Sequence, residues 1–270
     1  MARTAKKSAL PYEDLASSFI VRHVQTPMHR VTAFDTNDQA GKAGEILTSH
    51  NWDYAPVLKE GTVIGRVAAQ NLSANPYAAV GDHVEAISMG YIVTAQSRLA
   101  DLMQWLVNDP WLLVVDGRDV SGLVTAADLN RQPARAYMYM LLADFELRLA
   151  EVVRSAFADQ RAALLLLSND QQAKINGLMN KALKGGVESD WVSMMGLSHL
   201  IQIGAASAEV RQPFGLTPTE EWQKKMVDMI DSRDAIAHPT KPLISSTDDV
   251  KRLVGFDSRL RNLLEADVLS

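Results

Sequence analysis

Two stretches of this chain spell out the same order of elements 57 positions apart. Residues 55–72, APVLKEGTVIGRVAAQNL, read as a strand, a turn at Glu60-Gly61, a second strand and a helix start. Residues 112–129, LLVVDGRDVSGLVTAADL, repeat that order, with Gly65 matching Gly122 and Asn71 matching Asp128. Helical periodicity precedes each strand pair (about 39–49 and 98–107), and short β-rich pieces at Val31–Phe34 and Tyr91–Thr94 come before the helices. A β-α-β-β-α unit repeated at this spacing implies internal pseudo-symmetry. Each copy needs the other to bury its sheet, so the two are expected to form one domain.

The second half carries a different pattern. Residues 135–157 place Tyr137, Met140, Leu141, Phe145, Leu147, Leu149, Val152 and Val153 at helical spacing, with Pro133 just before them. Further helices are predicted near 170–183 and 190–208. Thr217-Pro218-Thr219-Glu220 reads as a helix start, with Thr217 as N-cap, Pro218 in the first position and Glu220 closing a capping box. That helix is expected to run to about His238, where Pro239 disfavours its continuation. Ser245–Asp249 then caps a last helix over about 248–266. The expected fold is therefore α+β and multi-domain. A tail (1–19) precedes the repeated unit (20–132, with repeats about 20–75 and 83–132), and an all-α helical bundle (133–268) follows.

Composition narrows the chemistry. With no cysteine among 270 residues, disulfides, thiolate metal sites and a cysteine nucleophile are excluded, and a reducing cytoplasm is the expected setting. The six histidines show no paired spacing suited to a metal, so no metal site is expected. No apolar run approaches the roughly 18 residues needed to span a bilayer, and the basic segment Met1–Ser8 lacks the apolar stretch of a secretory signal; it reads as a disordered tail. The net charge is −5, and residues 1–154 and 155–270 both carry more acidic than basic side chains. Broad nucleic-acid binding is disfavoured, and an RNA-handling role would need a small footprint.

The repeated unit resembles tandem cystathionine-β-synthase (CBS) domains, the Bateman module, over residues 20–132. The motif is Gly-apolar-apolar-Thr/Ser-x-x-Asp, complete in the second copy as Gly122-Leu123-Val124-Thr125-Ala126-Ala127-Asp128. The first copy reads Gly65-Arg66-Val67-Ala68-Ala69-Gln70-Asn71, in which Ala68 lacks the hydroxyl and Asn71 the charge. The resemblance implies an adenine nucleotide (AMP, ADP, ATP or a dinucleotide) as regulatory ligand. It would be bound by Gly122, Thr125 and Asp128 and completed from the other repeat by Thr32, Asp53 and Tyr54. A second, weakened site would involve Asn71 and Trp111. The residues themselves allow a plainer reading, in which Thr125 caps a helix and Asp128 supports its dipole. The tryptophans read as core anchors, with Tyr54 and Trp111 in equivalent repeat positions.

The helical half resembles HEPN domains, many of which are metal-independent endoribonucleases of prokaryotic defence and toxin systems. The resemblance rests on a long opening helix carrying Glu146, Arg148 and Glu151, and on Arg233-Asp234-Ala235-Ile236-Ala237-His238 followed by Pro239 and a final amphipathic helix. It implies RNA cleavage by the substrate's own 2′-hydroxyl, with His238 as general acid or base, Arg233 on the scissile phosphate and Asp234 orienting one of them. No cofactor is required for that chemistry. Residues five apart on a helix diverge by about 140°, so the resemblance further implies a homodimer in which two motifs share one cleft. An antitoxin or other protein partner is a further expectation. The plainer reading leaves Arg233 paired with Asp231 or Asp234 and His238 at the last carbonyls, in a ligand-responsive dimerisation or adaptor protein.

Overall fold

The computed structural model describes residues 15–238 and 240–265. The Met1–Ser8 tail and Pro239 lie outside the described residues. The chain divides into two compact units. Of the described residues, one unit comprises 17–133 together with Ile244–Val250; the other comprises 15–16, 134–243 and 251–265.

In the first unit the strands are β1 (Thr26–Pro27), β2 (Phe34–Asp35), β3 (Tyr54–Lys59), β4 (Thr62–Ala68), β5 (Glu85–Ala86), β6 (Ile92–Thr94), β7 (Trp111–Asp116) and β8 (Asp119–Thr125). Helices α1 (Ala40–Ser49), α2 (Ala69–Ala74) and α3 (Leu99–Asn108) intervene, and a 3-10 turn, Ala126–Asn130, follows β8. The hairpin joining β3 to β4 turns at Glu60 (φ 52°) and Gly61 (φ 78°). Two successive positive φ values match the twist of the flanking strands, as expected for a two-residue loop.

The strands form two four-stranded sheets, ordered β2-β3-β4-β5 and β1-β8-β7-β6. In each, a short strand runs parallel to the first hairpin strand, and an edge strand is borrowed from outside the repeat. β5, which opens the second repeat, pairs with β4 of the first, while β1, which opens the first repeat, pairs with β8 of the second. Neither repeat is complete alone, which makes the two copies a single folding unit, as the repeat predicted. The borrowed strands come very close at the two matched glycines. A Cβ on Gly65 would run into the Glu85 carbonyl oxygen, and one on Gly122 into that of Thr26. These glycines admit the exchanged strands.

The core of the first repeat gathers Phe34, Ala43, Leu47, Val57, Val67, Leu72 and Val80. Leu99, Leu102, Met103, Leu106, Leu113 and Val124 are buried in the second. Each fully buried side chain of this size contributes about 1.5–3 kcal/mol before entropy is charged against it.

The second unit is helical: α4 (Gln132–Ala156), α5 (Gln160–Leu164), α6 (Asn169–Lys184), α7 (Leu197–Ala206), α8 (Ala208–Arg211), α9 (Thr219–Ala237) and α10 (Thr247–Glu265). Its core includes Phe145, Phe214 and Trp222, with Met226, Met229, Phe256 and Leu260 also buried. Gly204 makes room for Trp222, whose indole N–H donates to the Ile201 carbonyl at 2.9 Å. Two expectations need correction. Helix α9 starts at Thr219 with Pro218 in the N-cap position, so the expected capping box at Thr217 is displaced. The expected helix near 190–208 is a 3-10 turn at Val192–Met194 followed by the separate helices α7 and α8. The expected boundaries also shift, because residues 17–19 and Ile244–Val250 belong with the repeated unit.

Candidate functional site

The first unit contains an open cleft of about 520 Å³, within the range of small-molecule sites. Thr125 and Asp128 of the second repeat line it, together with Thr32, Asp53, Tyr54 and Trp111. Five of the six residues expected to bind nucleotide therefore converge. The sixth, Gly122, is not among the lining residues and has the backbone role described above. Trp111, expected at the weakened second site, lies in this cleft as well.

The turn Ala126–Asn130 is held by a buried carboxylate. Asp128 is 7% exposed; its Oδ2 accepts from the Thr125 N–H at 2.7 Å and the Thr125 hydroxyl at 3.2 Å. Its Oδ1 meets Arg131 at 2.7 Å and the Thr26 hydroxyl at 3.4 Å. Arg131 also donates to the Gln25 carbonyl at 2.7 Å and the Thr26 hydroxyl at 2.6 Å. Burial pushes the Asp128 carboxyl above its ordinary range, against the pull of the Thr125 donors, of Arg131 and of the Thr26 hydroxyl. Both carboxylate oxygens are engaged within the chain. Asp128 thus fixes the turn and presents Thr125 to the cleft.

Three lining residues were not singled out in the sequence. Arg30, exposed at the cleft, makes no ion pair among the described residues and is a cation available to an anion. Asn51 takes a left-handed conformation (φ 55°) at the end of α1, as asparagine tolerates. Next to it Trp52 is 41% exposed and stacks on His50 at 4.4 Å. Trp52 and Trp105 (42% exposed) correct the reading of every tryptophan as a core anchor. Trp52, Tyr54 and Trp111 give the cleft aromatic faces on which a planar base can stack. Part of the remaining wall comes from Ile244, Ser245 and Ser246, far along the chain.

The pseudo-equivalent region of the first repeat is closed. Arg66 stands where the second repeat has Leu123, and its guanidinium lies 4.2 Å from the Tyr54 ring centroid, 4.4 Å from Tyr91 and 5.5 Å from Trp111. It donates to Glu85 at 2.9 Å and to both Asp109 oxygens at 3.2 and 3.0 Å. Its side chain is only 11% exposed. The site expected to be weakened at Asn71 and Trp111 is filled by the chain's own cation, while Ala68 and Asn71 hold the places of Thr125 and Asp128.

In the helical unit, Arg233 and Asp234 form an exposed pair at 3.2 Å. His238 is exposed just past the end of α9, its backbone N–H donating to the Asp234 carbonyl at 3.1 Å. No side-chain hydrogen bond joins His238 to Arg233 or Asp234 among the described residues. The end of this helix is instead gripped by Arg135 of α4, which is 6% exposed. It donates to the carbonyls of Ala235 at 2.8 Å and His238 at 3.4 Å, and to that of Lys241. A buried guanidinium satisfying terminal carbonyls fixes where His238 leaves the helix. Of the α4 residues noted in the sequence, Arg148 pairs loosely with Asp144 at 3.7 Å. Among the described residues no group of acidic or histidine side chains is arranged to hold a metal, and no helix is long and apolar enough to cross a membrane.

No family model and no curated protein matches this chain. Solved CBS-domain structures do align with part of it. The CBS domain of the bacterial CNNM/CorC family Mg2+ transporter in complex with ATP is 19% identical, covering 44% of this chain and 89% of its own, with TM-score 0.37. CBSX2 in complex with AMP is 20% identical, covering 45% and 98%, with TM-score 0.38. The CBS domains of a transcriptional regulator from Streptococcus pneumoniae are 16% identical, covering 41% and 96%, with TM-score 0.37.

Proposed function

We propose that residues 20–132 are a CBS pair that binds one adenine nucleotide per chain and thereby regulates the helical unit. The observation that carries this reading is the convergence of Thr32, Asp53, Tyr54, Thr125 and Asp128, drawn from both repeats, on one open cleft. Its aromatic faces suit a base, and Arg30 and the Thr125 hydroxyl suit a phosphate.

For the helical unit we propose metal-independent cleavage of RNA. The substrate 2′-oxygen attacks phosphorus while the bond from phosphorus to the 5′-oxygen breaks, leaving a 2′,3′-cyclic phosphate and a 5′-hydroxyl. His238 takes the 2′-hydroxyl proton or gives one to the leaving oxygen, and Arg233 stabilises the charge that gathers on the phosphoryl oxygens. The exposure of both residues leaves them accessible to a phosphodiester. Since the two side chains do not meet within one α9, the reading includes a homodimer that supplies a second motif. A second reading is favoured by the Arg233–Asp234 pair: the motif is structural, and the protein is a nucleotide-responsive adaptor.

Incubating the protein with total RNA and EDTA, with and without adenine nucleotides, tests this. Cleavage lost in both Arg233→Ala and His238→Ala and altered by nucleotide is the expected result. Cleavage that persists in both variants, or no cleavage under any condition, removes the ribonuclease reading and leaves the adaptor.

A further inference from the structure

We propose that a ligand in the cleft is sensed directly by the segment Ile244–Ser246, so that occupancy is communicated within a single chain to the end of helix α9. The proposal rests on the cleft being a nucleotide site and says how that site is wired.

Ile244, Ser245 and Ser246 line the cleft, although they lie 114 or more positions beyond Asn130 and follow closely on the Arg233–His238 motif. Their anchor is Asn130 itself, the last residue of the turn that carries Asp128 and follows Thr125 into the cleft. Its side-chain amide donates to the Ile244 carbonyl at 2.9 Å, and its amide oxygen accepts from the Ile244 N–H at 3.0 Å. One short turn therefore holds ligand-facing residues at its start and the distant segment at its end. Ile244 is buried, whereas Ser245 is exposed beside the open space.

The segment is also constrained on both sides. Downstream, the N–H groups of Ser245 and Ser246 donate to Asp249 Oδ2 at 2.8 and 2.9 Å, tying it to the first turn of α10. Upstream, only residues 239–243 separate His238 from Ile244. Within that span Leu243 is buried and the Lys241 carbonyl accepts from Arg135, which also holds Ala235 and His238. The strap is short, five residues that each span at most about 3.6 Å between anchored ends. A ligand that packs against Ile244 and Ser245 favours one placement of the strap over another. That difference in affinity is what a ligand needs to shift an equilibrium, typically by roughly 5- to 150-fold.

Hydrogen exchange of the full chain, with and without saturating AMP or ATP, tests the wiring. In the wild type, nucleotide should slow exchange both in 123–130 and in 240–250. Asn130→Ala should keep the slowing in 123–130, with affinity within about threefold, and lose it in 240–250. Ser245→Trp, which needs no change in the turn, should weaken nucleotide binding at least tenfold by placing an indole in the cleft. Slowing confined to 123–130 in the wild type, or unchanged affinity in Ser245→Trp, overturns the wiring while the nucleotide site stands. A flat titration with no slowing in either segment overturns the nucleotide site itself, and the wiring with it.

Discussion

The two repeats share one backbone plan and reach opposite outcomes at their clefts. In the second repeat Leu123, Thr125 and Asp128 leave an open space edged by Trp52, Thr32 and Thr26. In the first, Arg66 takes the place of Leu123, and its partners Asp109, Tyr91 and Glu85 stand at the positions of those three residues. Four coordinated differences turn an open space into an internal cation site. The aromatic rings Tyr54 and Trp111 serve both: they line the open cleft and lie near the Arg66 guanidinium. A site can thus be closed without loss of fold when the chain supplies a side chain with the charge and shape to occupy it.

The comparison can be broken in several ways. The largest effect should come from Asp128→Ala. It strands the Thr125 N–H and removes the counter-ion of Arg131, at a cost of about 2–4 kcal/mol in denaturant unfolding followed through the repeated unit. A loss under about 1 kcal/mol would mean that the turn is held by something else. Next comes Arg66→Leu, which installs the second repeat's residue in the first. Leaving Asp109 and Glu85 without their cation should cost about 2 kcal/mol. It should create no second nucleotide site, because the two carboxylates repel phosphate and Ala68 offers no hydroxyl. Two nucleotides per chain in that variant would show that Arg66 alone closes the site. Thr125→Ala should cost about 1 kcal/mol in stability, the usual value for a lost cap. It should weaken nucleotide binding more visibly than it weakens the fold.

The smallest effect is a pH slope. Burial raises the folded-state pKa of Asp128 above its ordinary value of 3.8, so the native state holds this proton more tightly than the unfolded chain. The proton-linked contribution is fully present below about pH 4 and is lost as the pH rises through the folded pKa. The stability difference between wild type and Asp128→Asn should therefore shrink over that range. A difference that grows with pH would place the Asp128 pKa on the other side of its ordinary value.

Much of the plan was legible in the sequence because it rests on local periodicity. The 57-residue spacing located both hairpins, and the matched glycines marked a real constraint, the close approach of the exchanged strands. Thr125 and Asp128 could be named from the motif, and Thr32, Asp53 and Tyr54 because the resemblance to CBS pairs implies them; all five line one cleft. What could not be read were contacts between distant segments. The exchange of β1 and β5, the Arg66 plug, the grip of Arg135 on the end of α9 and the return of Ile244–Ser246 to the cleft all join residues with no periodic relation. Arg66 did carry a clue, as a charged residue in a strand position where its repeat partner is Leu123, but its two carboxylate partners follow no motif. In the helical unit, the Arg233–His238 spacing correctly placed both residues at a helix end. It could not show that Asp234, not His238, is the side chain Arg233 meets.

The most direct test of the central contrast is the stoichiometry of adenine-nucleotide binding, measured by calorimetry on the full chain beside Ser245→Trp and Arg66→Leu. One nucleotide per chain, weakened by Ser245→Trp and unchanged in number by Arg66→Leu, is the predicted result. Two nucleotides per wild-type chain, or none, would contradict the assignment of one open and one self-filled cleft.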